Sequence, residues 1–129
     1  MAEFSELKGK TLIGIKVERD DDDRITFKCD DGTEYYMTHW QDCCEAVYIE
    51  DIAGNLNLLT GSPILLAEVV TSDNFRQREG YGYWDDLYQW TFYKLSTILE
   101  SVTIRWFGSS NGYYSVDVGF YKKGEGYYD

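Results

Sequence analysis

Hydrophobic residues recur with a period of two along most of this chain, and no segment carries the 3.6-residue apolar stripe of a long amphipathic helix. A strand turns successive side chains to opposite faces, so this pattern commits the chain to sheets. Leu12 to Glu18 sets Ile13, Ile15 and Val17 on one face and Lys16 and Glu18 on the other. Arg24 to Cys29 and Thr33 to Thr38 alternate on either side of Asp30-Asp31-Gly32, the turn chemistry of a hairpin. Cys44 to Asp51 reads as a fourth strand with Glu45, Val47 and Ile49 toward the core, and Ile64 to Val70 as a fifth. Leu87 to Leu95, Leu99 to Phe107 and Tyr113 to Tyr121 then predict a three-stranded meander, its last turn at Asn111-Gly112.

The segments between these runs read as connections. Four successive carboxylates, Asp20 to Asp23, belong in a solvated turn, and the spacing lacks the Gly and closing Glu of a calcium loop. Ala53 to Gly61 has room for at most one short helix near 53–60, and Ser62-Pro63 forces an extended restart. Ser72 to Trp84 reads as a long irregular loop. The expected fold is therefore mainly β: one domain over 1–129 with about eight antiparallel strands, as a bent sheet, a sandwich or a small barrel. Its core is expected at about 10–121 and a flexible tail at 122–129.

Composition narrows the function. With 43% hydrophobic and 17% aromatic residues the chain has the means to bury a core, and its net charge of -11 repels nucleic-acid backbones. No direct nucleic-acid contact is expected, whereas a basic surface on a partner protein would attract it. The start lacks the basic and apolar regions of a signal peptide and no stretch approaches a membrane span, which predicts a cytoplasmic protein without membrane contact. Three cysteines, two of them adjacent, fit free thiols better than a disulfide framework.

The densest chemistry lies in His39-Trp40-Gln41-Asp42-Cys43-Cys44-Glu45, which holds the single histidine and two of the three cysteines. Cys29, His39 and Cys43 are candidate zinc ligands by donor type, with Asp42 or Glu45 to complete the site. Their spacing lacks the paired knuckles of structural zinc, so the expectation is no cofactor. A Cys43 thiolate beside His39 is the only nucleophile argument, and no oxyanion hole or substrate loop accompanies it. Asp42, Glu45, Glu50 and Asp51 form a carboxylate group. Glu45, in register with core positions, needs a buried partner, for which Arg105 is the candidate. Tyr81, Tyr83 and Trp84 lie in the long loop beside few basic residues and read as a protein-binding surface.

Two motifs carry a family resemblance: His39 to Glu45 followed by Val47 and Ile49-Glu50-Asp51-Ile52, and the later Thr103 to Gly108 with Ser110 to Ser115. Together, over about 10–121, they resemble a family of small phage- and bacterium-encoded domains of unknown function. The resemblance implies one domain, no reaction or cofactor to transfer, and a phage or prophage origin. The leading expectation is a non-enzymatic acidic binding protein whose partner is a host protein with a basic surface, in a defence or nucleic-acid-handling system. The alternative is a metal- or small-ligand-binding β domain centred on His39, Cys43 and Glu45, and the third a cysteine-dependent enzyme.

Overall fold

The alternating runs become eight strands in a computed structural model that describes residues 1–77 and 85–125. They are β1 (Leu12–Glu18), β2 (Arg24–Cys29), β3 (Glu34–Thr38), β4 (Ala46–Ala53), β5 (Leu66–Gln77), β6 (Asp85–Ser96), β7 (Ser101–Ser110) and β8 (Gly119–Lys122). All pairings are antiparallel, in two four-stranded sheets of order β1-β2-β3-β8 and β4-β7-β6-β5, with no closed barrel. Of the three expected forms, the sandwich is the one adopted. One core joins the sheets: Ile25, Phe27, Tyr35 and Met37 of the first pack with Ile49, Leu95, Ile104 and Trp106 of the second. The short helix expected near 53–60 is the 3₁₀ turn Leu56–Leu59.

Several expectations are corrected. Ile13 is 64% exposed and Leu12 is buried instead, because a bulge between Leu12 and Gly14 shifts the register of β1 against β2. β5 runs on to Gln77, so much of the expected 72–84 loop is strand, and residues 78–84 lie outside the described residues. The core also begins before residue 10, since the 3₁₀ turn Phe4–Leu7 buries Phe4 and Leu7. At the other end Lys122 closes β8 and the Lys123 amide donates to the Glu34 carbonyl, so the expected tail is tied down at its start, while 126–129 lie outside the described residues.

The largest departure concerns the final strand. Residues 113–118 carry no strand, and β8 leaves β7 to pair with β3 in the opposite sheet. The consecutive strands β5, β6 and β7 form the meander of the second sheet, so of the last three expected runs only the first two pair with each other. Gly108 on β7 explains part of this crossing: a Cβ there would stand 2.7 Å from the Val116 side chain, so the missing side chain makes room for the crossing segment. Val116 and Phe120 are buried. Gly108→Val is expected to lower stability by about 1–3 kcal/mol through overpacking at this seam, read as a shift in the urea unfolding midpoint.

Candidate functional site

The His39–Glu45 segment folds as a turn between β3 and β4, and Glu45 is its organising group. Its Oε2 accepts from His39 Nε2 at 2.8 Å and from the Asp42 amide at 3.0 Å. Its Oε1 accepts from Gln41 Nε2 at 3.0 Å and from the Cys43 amide at 2.9 Å. Four donors on one carboxyl group leave it no role but that of a carboxylate. On its other side the His39 ring places Nδ1 at 2.7 Å from the Asp117 carbonyl oxygen. Both ring nitrogens thus face acceptors, and the ring satisfies both only as an imidazolium that donates twice. The pair is buried, with side chains only 6% and 1% exposed.

Burial acts to raise the Glu45 carboxyl. Hydrogen bonds from its own amide, the His39 ring, and the amides of Cys43 and Asp42 outweigh that effect and hold it at about 2. Asp117 belongs to the segment that crosses between the sheets, so His39 ties that segment to the turn. The Tyr93 hydroxyl donates to the Val118 carbonyl and Gln89 Nε2 to Asp117 Oδ1, both at 3.3 Å, from the facing side. The turn and the crossing segment are therefore two halves of one fastening.

A cleft of about 490 Å³ opens beside the pair, walled by Trp40, Asp42, Asp117 and Tyr121. His39 and Glu45 reach its lining but engage their polar atoms with each other, with the Gln41 side chain and with backbone. Cys43 and Cys44 are joined to one another by a disulfide, which corrects the expectation of free thiols. That expectation rests on the odd number of cysteines and the rarity of a bond between adjacent ones; the two lie in the turn before β4, which begins only at Ala46. Cys29 keeps a free thiol, buried on β2, and burial pushes it up, away from the reactive thiolate. Among the described residues, no three His, Cys, Asp or Glu side chains converge as metal ligands, so Cys29 does not join His39 and Cys43.

Arg105 is not the partner of Glu45. It projects from the other face of its sheet and donates through Nε to Glu50 Oε1 at 2.7 Å, while Asp51 lies opposite it in register. This pair is partly exposed and contributes little to stability. The structure therefore brings together His39, Asp42, Cys43 and Glu45 in one place, and Glu50, Asp51 and Arg105 in another. Tyr81, Tyr83 and Trp84 lie outside the described residues.

What the sequence reading missed is the solvent-side face of the second sheet. Tyr48 on β4, Phe107 on β7, and Tyr88 and Trp90 on β6 form a continuous ring cluster, with centroids 5.7, 5.9 and 5.2 Å from Phe107. Phe92 and Val70 share this face, being register partners of Arg105 and of each other. The buried side of β6 carries Gln89 and Thr91 instead. A sequence signal existed in the alternation Tyr88, Trp90, Phe92 against Gln89, Thr91, but hydrophobicity alone would have turned it the wrong way round.

These features define a class: a two-sheet antiparallel β domain whose densest polar cluster is an internal clasp and whose aromatic residues spill onto one outer face. The chain belongs to the family described as Domain of unknown function (DUF7448), whose family model matches residues 5–120. No curated protein and no solved structure matches it. Among the described residues no helix is long and apolar enough to cross a membrane.

Proposed function

We propose that this domain is a non-enzymatic binding protein that engages a protein of basic surface through the outer face of the β4-β7-β6-β5 sheet. The observation that carries this reading is the ring cluster of Tyr48, Tyr88, Trp90 and Phe107 on a face that no other element of the described structure covers. Tyr and Trp supply most of the energy in protein interfaces, because they bury large area at small entropic cost. Glu50, Asp51 and Glu68 lie around the cluster, with Arg105 paired to Glu50 and Lys94 in register with Glu68, so it is the net charge of -11 over the whole chain that steers a basic partner toward the molecule. In its finer form, which rests on the motif resemblance, the chain is of phage or prophage origin and its partner is a host defence or nucleic-acid-handling protein.

Affinity capture from bacterial lysate tests this. Wild type is expected to retain a basic protein at low salt and to release it as salt rises. A folded Trp90→Ala variant is expected to bind about thirtyfold more weakly, the loss typical of a central aromatic anchor. Recovery of no specific partner, or of one indifferent to both salt and Trp90, would overturn the proposal.

A further inference from the structure

Four strands lie at sheet edges, and three of them carry devices that keep another strand from pairing. β1 has its bulge and an exposed Lys16. β8 is only four residues long and is followed by a second lysine, Lys123. β4 has a bulge between Ile49 and Asp51, and the Ile49 amide is occupied by Asp23 Oδ2 at 2.7 Å. β5 has none of these.

β5 spans twelve residues in unbroken register with β6 and contains no Pro, Gly or Lys. Just before it the edge is closed: Gly9 donates to the Ile64 carbonyl, the Ile64 amide donates to the Lys10 carbonyl, and Thr11 bridges Pro63. From Leu66 to Ser72 the only backbone partner among the described residues is β6. Glu68 to Ser72 are exposed without alternation, and Val69 and Thr71 on the inner face border an open cleft of about 280 Å³ shared with Phe4 of the first 3₁₀ turn and Phe120 of β8. Val69 shows the consequence, being 49% exposed although its cross-strand neighbour Tyr93 is buried, and Val70 is 46% exposed. An open backbone edge flanked by two bare valines is a template for strand addition.

We propose that β5 pairs antiparallel with β5 of a second copy of this chain, joining two four-stranded sheets into one of eight. A strand that pairs with itself about a two-fold axis satisfies both copies with the same groups, the isologous arrangement that closes at a dimer. In the register centred on Val70, Val70 meets its own copy, Val69 meets Thr71, and Glu68 meets Ser72. No two carboxylates within Glu68–Ser72 are then directly opposed. The outer aromatic faces become continuous across the seam, since Val70 lies beside Phe92.

Sedimentation equilibrium of the full chain, with no partner protein present, tests this. Wild type is expected to be a concentration-dependent dimer that tightens as salt screens the repulsion between two chains of net charge -11. Val70→Lys places two lysines face to face at the axis and is expected to weaken the dimer about tenfold or more, while Val70→Thr, equally β-branched, stays within about threefold of wild type. The lysine variant also lowers the net negative charge, so general electrostatics alone would strengthen association. Amide hydrogen exchange on wild type supplies a second reading that needs no variant: protection within Leu66–Ser72 is expected to rise with protein concentration. A monomer at every concentration, a dimer indifferent to Val70→Lys, or exchange at β5 that does not change with concentration would overturn the proposal.

Discussion

Glu45→Leu is expected to destabilise the domain by about 3–5 kcal/mol at neutral pH, the cost of stranding one member of a buried ion pair. The leucine leaves the His39 imidazolium, the amides of Asp42 and Cys43, and the Gln41 side chain without their acceptor in a site almost closed to water. Urea unfolding checks the magnitude, and a loss under about 1 kcal/mol would show that the turn rearranges to solvate His39. Glu45→Gln keeps the shape and an acceptor oxygen, so its loss is expected to be smaller.

Acid separates charge from shape at the same site. Folding lowers the Glu45 carboxyl from an ordinary value near 4.5 to about 2. The stabilisation this group supplies is therefore complete above about 4.5 and is lost as pH falls toward about 2. That difference amounts to about 3 kcal/mol, which wild type should lose across the window beyond anything Glu45→Gln loses. Parallel curves for the two proteins would show that the carboxylate is not held by these bonds.

Trp106→Ala is expected to cost about 3–5 kcal/mol, because Trp106 is among the largest fully buried side chains and fills the space between the sheets. It stands on the inner face of β7 opposite Ile49 and Thr91, and its Nε1–H donates to Met37 Sδ of the other sheet at 3.3 Å. Alanine removes the ring and leaves a cavity that β3 and β7, each hydrogen-bonded on both sides, have little freedom to close. Trp106→Phe retains most of the apolar area and is expected to lose about 1–2 kcal/mol. Equal losses in the two variants would mean that the sheets collapse into the gap.

Local chemistry made much of this fold legible. The Asp30-Asp31-Gly32 turn forms where expected, with Gly32 at φ +88° and the Asp31 side chain accepting from the Thr33 amide, because both requirements sit within three residues. Glu45 lies on a buried face, as its parity with Val47 and Ile49 predicts, although it stands one residue before the start of β4. Its partner was not legible. Arg105 is an inner or an outer residue according to the register of β7, and that register turns it toward Glu50. Trp106 and Phe107 make the same point: two adjacent aromatic residues cannot both face the core, and pairing with Ile49 and Tyr48 decides which one does.

By itself the sequence determined the β class, the acidity, the positions of the early strands and the identity of the one segment dense in polar chemistry, all of which depend on spacing within a few residues. Tertiary structure alone decided that β8 changes sheets, that the His39–Glu45 pair fastens the crossing segment through Asp117, that Tyr88, Trp90 and Phe107 look outward, and that β5 remains an open edge. Each of these depends on a contact between residues far apart in the chain. Spacing carries no information about such contacts until strand register has chosen a face for every side chain.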